Sequence, residues 1–273
     1  TDTTSDTPPA FVLPHHPIRE ALTGSVASIA FTFIAVIAVG MLWIGPKFIS
    51  FGNVSIVGTF LIVPLIVGAF SGFALLAGVV DLSIGSIVVI SAATFAYLIS
   101  HGWGVWPAAG TTLGICLVIG GLNALAIVRF AADPIAATLG MLTALRGITW
   151  VLCGNQRMIP AFDIDYFNLI NQQVLGLPLF FLVAIALTLL AAMIVAKTRL
   201  GRHIQAVGGD DRAAARAGIS VRGVRTVALL LSAFGGGLGG LIYVGQLGSA
   251  AGATGLGLEF QVYAALMIGG YSI

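Results

Sequence analysis

Four polar residues stand inside or beside stretches that are otherwise apolar: Asp81, Ser83, Asn123 and Glu259. A carboxylate at membrane depth is costly and normally faces a cavity or a partner helix. Asp81 lies in ALLAGVVDLS (74–83), with Gly78 and Gly85 flanking it. Glu259 follows GQLGSAAGATGLGL (245–258), which has Gly at 245, 248, 252, 255 and 257. Neither stretch suits a steady helix, and both read as broken or re-entrant segments of the kind that line a transport path. Asp81, Ser83 and Glu259 are therefore pathway candidates, with a structural helix-break role equally open. For Asn123, a pathway role stands beside that of a polar group gluing two helices.

Other chemistry is excluded. There is no Ser-His-Asp, Cys-His or H-E-x-x-H arrangement and no P-loop G-x-x-x-x-G-K-[ST], so the chain carries no signature of ATP hydrolysis. Gly235-Gly236-Gly237-Leu238-Gly239-Gly240 satisfies G-x-G-x-x-G to the letter, but lies in the middle of an apolar run, where the same residues read twice as G-x-x-x-G, a close-packing signal. Cys116 and Cys153 read as small packing residues, and His15-His16 as part of a solvated tail.

The elements that must hold these residues follow from composition. Of 273 residues, 58% are hydrophobic and 8% charged, and the mean hydropathy is +1.07. A soluble domain so poor in charge would expose large apolar patches. Apolar runs at about 25–44, 54–73, 84–100, 107–127, 135–153, 179–196, 225–244 and 259–273 are long enough for transmembrane helices. They do not alternate as barrel strands would. The fold class is all-α: a polytopic helical bundle of about eight spans with broken helices. Residues 1–18, polar and Pro-rich, read as a disordered tail, and 19–273 as one membrane domain.

Charge sets the orientation. Lys197, Arg199, Arg202, Arg212, Arg216, Arg222 and Arg225 crowd into 29 positions. The positive-inside rule places this loop in the cytoplasm, and nucleic-acid binding does not suit so apolar a chain. Counting back puts the 154–178 loop (Asp163, Asp165, Arg157) outside, and Arg129, Arg19 and the N-terminus inside. Trp43, Trp103, Trp106 and Trp150 then fall near outer span ends, as an aromatic belt. Arg146 reads as a residue that snorkels outward, and Thr138 and Thr143 as groups bonding back to their own helix.

Within the basic loop, Gly208-Gly209-Asp210 reads as a turn with an N-cap. DRAAARAG makes a helix of about two turns, and Gly218 stops it. A bare connection would need only a few residues. This small, Ala-faced helix suits docking onto a cytoplasmic partner.

Four ordered segments resemble one family. Gly78 to Ser86 (GVVDLSIGS), Asp133 to Gly147 (DPI…TLG…LRG), Thr198 to Ile219 (TRLGR…AVGGD…AARAGI) and Gly257 to Ser272 (GLE…IGGYS) are similar to the corresponding stretches of bacterial ABC-transporter permeases of the ribose/xylose/arabinose class. Val79 stands where Gly is usual, Asp210 where Asn is usual and Gln261 where Asp is usual. Such permeases have about ten spans and continue beyond the last motif, so the resemblance implies a chain truncated at its C-terminus.

The resemblance implies ATP-driven import of a sugar or polyol across the bacterial inner membrane. It also implies partners: a cytoplasmic ABC ATPase dimer holding ATP and Mg, a second permease chain (identical or paralogous) and a periplasmic sugar-binding protein. No cofactor is expected in this chain. Gly208, Gly209, Asp210, Ala214, Ala215, Arg216, Gly218 and Ile219 would form the ATPase-coupling helix. An ion-coupled secondary transporter and a non-transporting assembly subunit are the alternatives.

Overall fold

The computed structural model describes residues 25–154, 163–253 and 255–269. The 1–18 tail, Arg19, Arg157 and the last residues of the eighth apolar run lie outside them. Helix α1 spans Ser25–Ile44 and passes through a 3₁₀ segment, Gly45–Ile49, into α2, Phe51–Leu76. Then come α3 (Ile84–Ser100), α4 (Val105–Ala124, widening into a π turn at Leu125–Arg129) and α5 (Pro134–Cys153). The segment expected as a plain external loop holds a short helix, α6 (Ile164–Ile170), and a two-stranded hairpin, Gln173–Val174 with Leu177–Pro178. Helices α7 (Leu179–Lys197), α8 (Arg199–Gly209), α9 (Asp211–Arg216), α10 (Val221–Leu247) and α11 (Leu258–Ile268) complete the described chain.

Six of these helices are long and apolar enough to cross a membrane; α3 and α11 are shorter apolar helices. The protein is a multi-pass membrane protein. Within the described residues the eight apolar runs thus return as helices, with two differences of length. Helix α2 runs to Leu76 and α10 begins at Val221 and runs to Leu247, so each is about 39–40 Å long, more than the roughly 30 Å of hydrocarbon. Helix α11, with 11 residues, spans about 16 Å. The breaks are correspondingly narrower than the sequence suggested: 77–83 and 248–257.

Helix α10 is the centre of the bundle and packs against α2, α3 and α4. Its glycine run explains how. A Cβ at Gly235 or Gly239 would strike Phe70 or Val67 of α2; at Gly236 or Gly240, Ile87 or the Val88 carbonyl of α3; at Gly237, Leu113 and Cys116 of α4. The motif serves close approach on three sides at once, and Ser91 donates to the Gly237 carbonyl across one of these contacts (2.7 Å). Cys116 and Cys153 are buried free thiols, as expected of packing residues. Trp43, Trp103, Trp106 and Trp150 are all exposed near helix ends.

Side chains cap the starts of α5 and α10. Asp133 accepts from Ala136 N–H (2.9 Å) ahead of Pro134, and Ser220 accepts from Gly223 N–H (3.2 Å) at the start of α10. Thr138 and Thr143 bond back to the Pro134 and Leu139 carbonyls (2.8 and 2.5 Å).

Candidate functional site

Two breaks and a platform of two short helices hold the residues singled out in the sequence. The first break begins where α2 ends. Gly78 takes φ +75°, and its N–H and that of Val79 close on the Leu75 and Ala74 carbonyls (3.0 and 2.9 Å). The chain then turns back and enters α3 at Ile84. Asp81 sits in this return, 0% exposed. Its Oδ1 accepts from Ser83 N–H (3.1 Å) and the Ser83 hydroxyl (2.6 Å); its Oδ2 accepts from the Ser232 hydroxyl of α10 (2.8 Å). Its own N–H donates to the Tyr263 hydroxyl of α11 (2.6 Å). Asn123 of α4 donates to the Ser83 hydroxyl (2.8 Å).

The physical logic is that of a buried carboxyl group supplied with hydrogen-bond partners. A buried carboxyl group needs hydrogen bonds in place of those to water, and three converge here. The amino end of α3 adds the positive end of its dipole. Asp81, Ser83 and Asn123 form one network with Ser232 and Tyr263, tying the break to α4, α10 and α11.

Glu259 belongs to the second break. Helix α10 ends at Gly248 (φ +63°), and α11 starts after Gly257 (φ +81°). Glu259, in the first turn of α11, is 2% exposed. Its Oε1 accepts from Arg146 Nη2 of α5 (2.9 Å). Its Oε2 has no hydrogen-bond partner among the described residues and lies where a Cβ of residue 85 would be. Arg146 therefore does not snorkel outward: an opposite charge at its own depth is a nearer partner than the interface. Gly85 is fixed by the same pair, since any side chain there would meet the Glu259 carboxylate.

Above these groups a cavity of about 610 Å³ opens between α2, α6, α10 and the second break. Thr59, Asn171, Gln246, Gln261 and Tyr243 give it its polar lining, and among the described residues no charged one lines it. Gln246 donates to the Thr59 carbonyl (3.0 Å), and Asn171 to the Gly245 carbonyl (2.9 Å). Leu258, the neighbour of Glu259, also lines it; Asp81, Ser83, Asn123 and Glu259 do not. The nearby α6 is pinned by the Tyr166 hydroxyl, which donates to the Leu241 carbonyl (2.6 Å); burial pushes that phenol upward from its ordinary range.

At the other end lies the platform, which is two helices where one was expected. Helix α8 (Arg199–Gly209) is amphipathic and seats Gly201, Ile204 and Val207 in a core shared with Phe73, Ala77 and Ala228. Gly208 and Gly209 are its last residues, a helix end in place of a turn. Gly208 lies so close to the Leu76 carbonyl that no Cβ fits. Asp210 then caps α9, accepting from Arg212 and Ala213 N–H (both 2.9 Å). Gly218, at φ +82°, closes it, with Ile219 N–H reaching the Ala214 carbonyl (3.0 Å). Ala214 is buried and Ile219 half-buried, whereas Ala213, Ala215, Arg216 and Gly218 are exposed. Arg225 bridges the Ala77 carbonyl (3.4 Å) and Asp211 (3.3 Å).

Residues 54–273 match the family of branched-chain amino acid transport system permease components. The chain belongs to that permease family. Over 213 residues it is 32% identical to the D-allose transport system permease protein of Escherichia coli K12, covering 77% of this chain and 64% of the relative. It is 29% identical over 233 residues to the ribose import permease protein of Haemophilus influenzae, covering 84% of this chain and 72% of the relative. It is 30% identical over 194 residues to an autoinducer 2 import system permease protein of Escherichia coli O9:H4, covering 71% of this chain and 56% of the relative. The chain thus spans somewhat under two thirds of the first of these relatives. No solved structure matches.

In this permease-family chain two of the motifs coincide with structural features described above. The GVVDLSIGS stretch is the first break, and TRLGR…AARAGI is the platform. The sequence reading missed Arg146, Ser232 and Tyr263 as partners of the two carboxylates. A signal for the first was present: two opposite charges at membrane depth in one chain are candidates for each other. Ser232 and Tyr263 gave no such signal, because hydroxyls are common in apolar runs.

Proposed function

We propose that the chain is the membrane-spanning permease subunit of an ATP-driven importer that moves a sugar or polyol across the bacterial inner membrane, N-terminus in the cytoplasm. One observation carries the reading: the α8–α9 platform is built rigidly onto the first break. Gly208 abuts the Leu76 carbonyl, and Arg225 ties Asp211 of α9 to Ala77 at the end of α2. A push on α9 would therefore pass directly into the segment that carries Asp81. The family membership and the sugar permeases among the relatives support the same reading.

In this reading the exposed face of α9 (Ala213, Ala215, Arg216, Gly218) sits in a groove of a cytoplasmic ABC ATPase dimer, which binds and hydrolyses ATP with Mg. Closure of that dimer moves α9 as a unit, and the spans rock between inward- and outward-open states. The uncharged cavity beside Gln246 and Gln261 receives substrate delivered by a periplasmic sugar-binding protein. Its amides and hydroxyls can both donate to and accept from a polyol. The Asp81 network and the Arg146–Glu259 pair hold the two breaks beneath it. A second permease chain, identical or paralogous, completes the pathway.

The test is a pull-down from detergent. The reading expects an ABC ATPase to co-purify with the wild-type chain. Loss of that ATPase from the exposed-face variant Ala215→Trp/Arg216→Glu, at unchanged membrane levels, would support α9 as the docking element. Retention of the ATPase at wild-type levels by the variant would remove it.

A further inference from the structure

A second cavity, of about 410 Å³, lies where the cytoplasmic end of α4 meets the start of α10. Its walls are Gly121, Ala124, Leu125 and Val128, and its polar groups are Arg129, Arg222 and Thr226. The π turn at Leu125–Arg129 carries Arg129 to its mouth, and Arg222 stands in the first turn of α10. Neither arginine nor the Thr226 hydroxyl makes a hydrogen bond or ion pair among the described residues, and no carboxylate lines the cavity. By contrast, Arg146 and Arg225 are both paired with acids.

Both arginines are exposed, and two cations lining one cavity make it favourable for an anion. The amino end of α10 adds its partial positive charge to the same point. The walls point to the kind of anion. Ile115, Val118, Leu122 and Leu125 recur at spacings of three and four along α4, and all are exposed, an apolar column rising from the cavity. None of the lining comes from α8 or α9, so the cavity opens onto the flank of the bundle and not onto the platform.

We propose that Arg129, Arg222 and Thr226 form a binding site for one anionic phospholipid of the cytoplasmic leaflet, its phosphate between the arginines and an acyl chain along α4. Basic pockets between spans on this side of a membrane are suited to such headgroups. The site is separate from the substrate cavity and from the α9 face, and stands whether or not the transport reading does.

The experiment is native mass spectrometry of the purified full chain in detergent, titrated with phosphatidylglycerol, phosphatidylcholine or inorganic phosphate. The expected result is one tightly retained phosphatidylglycerol, at least tenfold preferred over phosphatidylcholine and not displaced by millimolar phosphate. The Arg129→Gln/Arg222→Gln variant should bind it about 25-fold more weakly, at about fivefold for each charge. Gly121→Leu keeps both arginines and fills the slot, since a Cβ there meets nothing within 4 Å, and should weaken binding about tenfold. Equal retention of phosphatidylcholine, displacement by phosphate, or unchanged binding in either variant would overturn the assignment.

Discussion

Arg146 of α5 and Glu259 of α11 meet at 2.9 Å inside the bundle, and the second carboxylate oxygen of Glu259 rests against the Cα of Gly85 on α3. Three helices are thereby locked at the start of α11 by one ion pair. Losing one partner leaves a buried charge alone, which costs about 3–5 kcal/mol. Arg146→Met should thus lower the unfolding temperature in detergent sharply. The double variant Arg146→Met/Glu259→Gln should recover most of the loss. A single variant as stable as the wild type would show that the pair holds nothing.

The Asp81 network predicts graded effects. Ser232→Ala removes one of three donors to the carboxylate and should cost about 1–2 kcal/mol. Asp81→Ala strands the Ser83 N–H, the Ser83 hydroxyl and the Ser232 hydroxyl together, and should cost more than Ser232→Ala by about 2 kcal/mol or more. Thermal unfolding of the two variants side by side checks the order; equal stabilities would contradict the network.

The glycines divide into two kinds. Gly240→Ala forces a methyl onto the Val88 carbonyl and Ser91, and should destabilise by about 1–3 kcal/mol. Gly147→Ala, with nothing within 4 Å, should be neutral or stabilise by up to about 1 kcal/mol through helix propensity. Opposite signs in unfolding temperature are the expected outcome.

On the proposed function, the cavity lined by Gln246 and Gln261 predicts a change in uptake, without a change in stability for Gln261→Leu and with a small loss for Gln246→Leu, which also gives up the bond to the Thr59 carbonyl. Gln246→Leu and Gln261→Leu remove amides from its lining. Each should raise the concentration of radiolabelled ribose or allose giving half-maximal uptake several-fold, the size of a lost hydrogen bond. An unaltered concentration dependence in both would move the substrate elsewhere.

How much of this could be read from residues alone depends on which physical signal each element emits. The spans were plain because lipid demands long apolar runs and little else does. The first break was plain because Asp81 stands between Gly78 and Gly85, each of which disfavours a continuous helix. Helix α9 was legible from Asp210 and Gly218, a cap and a stop at helical spacing. Helix α8 was not. Its apolar residues, Leu200, Ile204, Ala206 and Val207, are few, three of its eleven positions are glycines, and the other four are polar. Gly208 looked like a turn residue, when close contact with the Leu76 carbonyl explains it, as contact with the Val195 carbonyl explains Gly201. Arg146 was misjudged for a related reason: snorkelling considers a side chain against the bilayer, whereas Glu259, distant in sequence, supplies its partner.

The central claim is that α9 transmits the work of an ATPase to the break at Asp81. Its most direct measurement is ATP-dependent sugar uptake by vesicles holding this chain and an ABC ATPase recovered by the pull-down, with wild type and Ala215→Trp/Arg216→Glu compared at equal protein levels. The account predicts that the variant loses at least nine tenths of uptake and keeps its unfolding temperature. Uptake at the wild-type rate in the variant would contradict it.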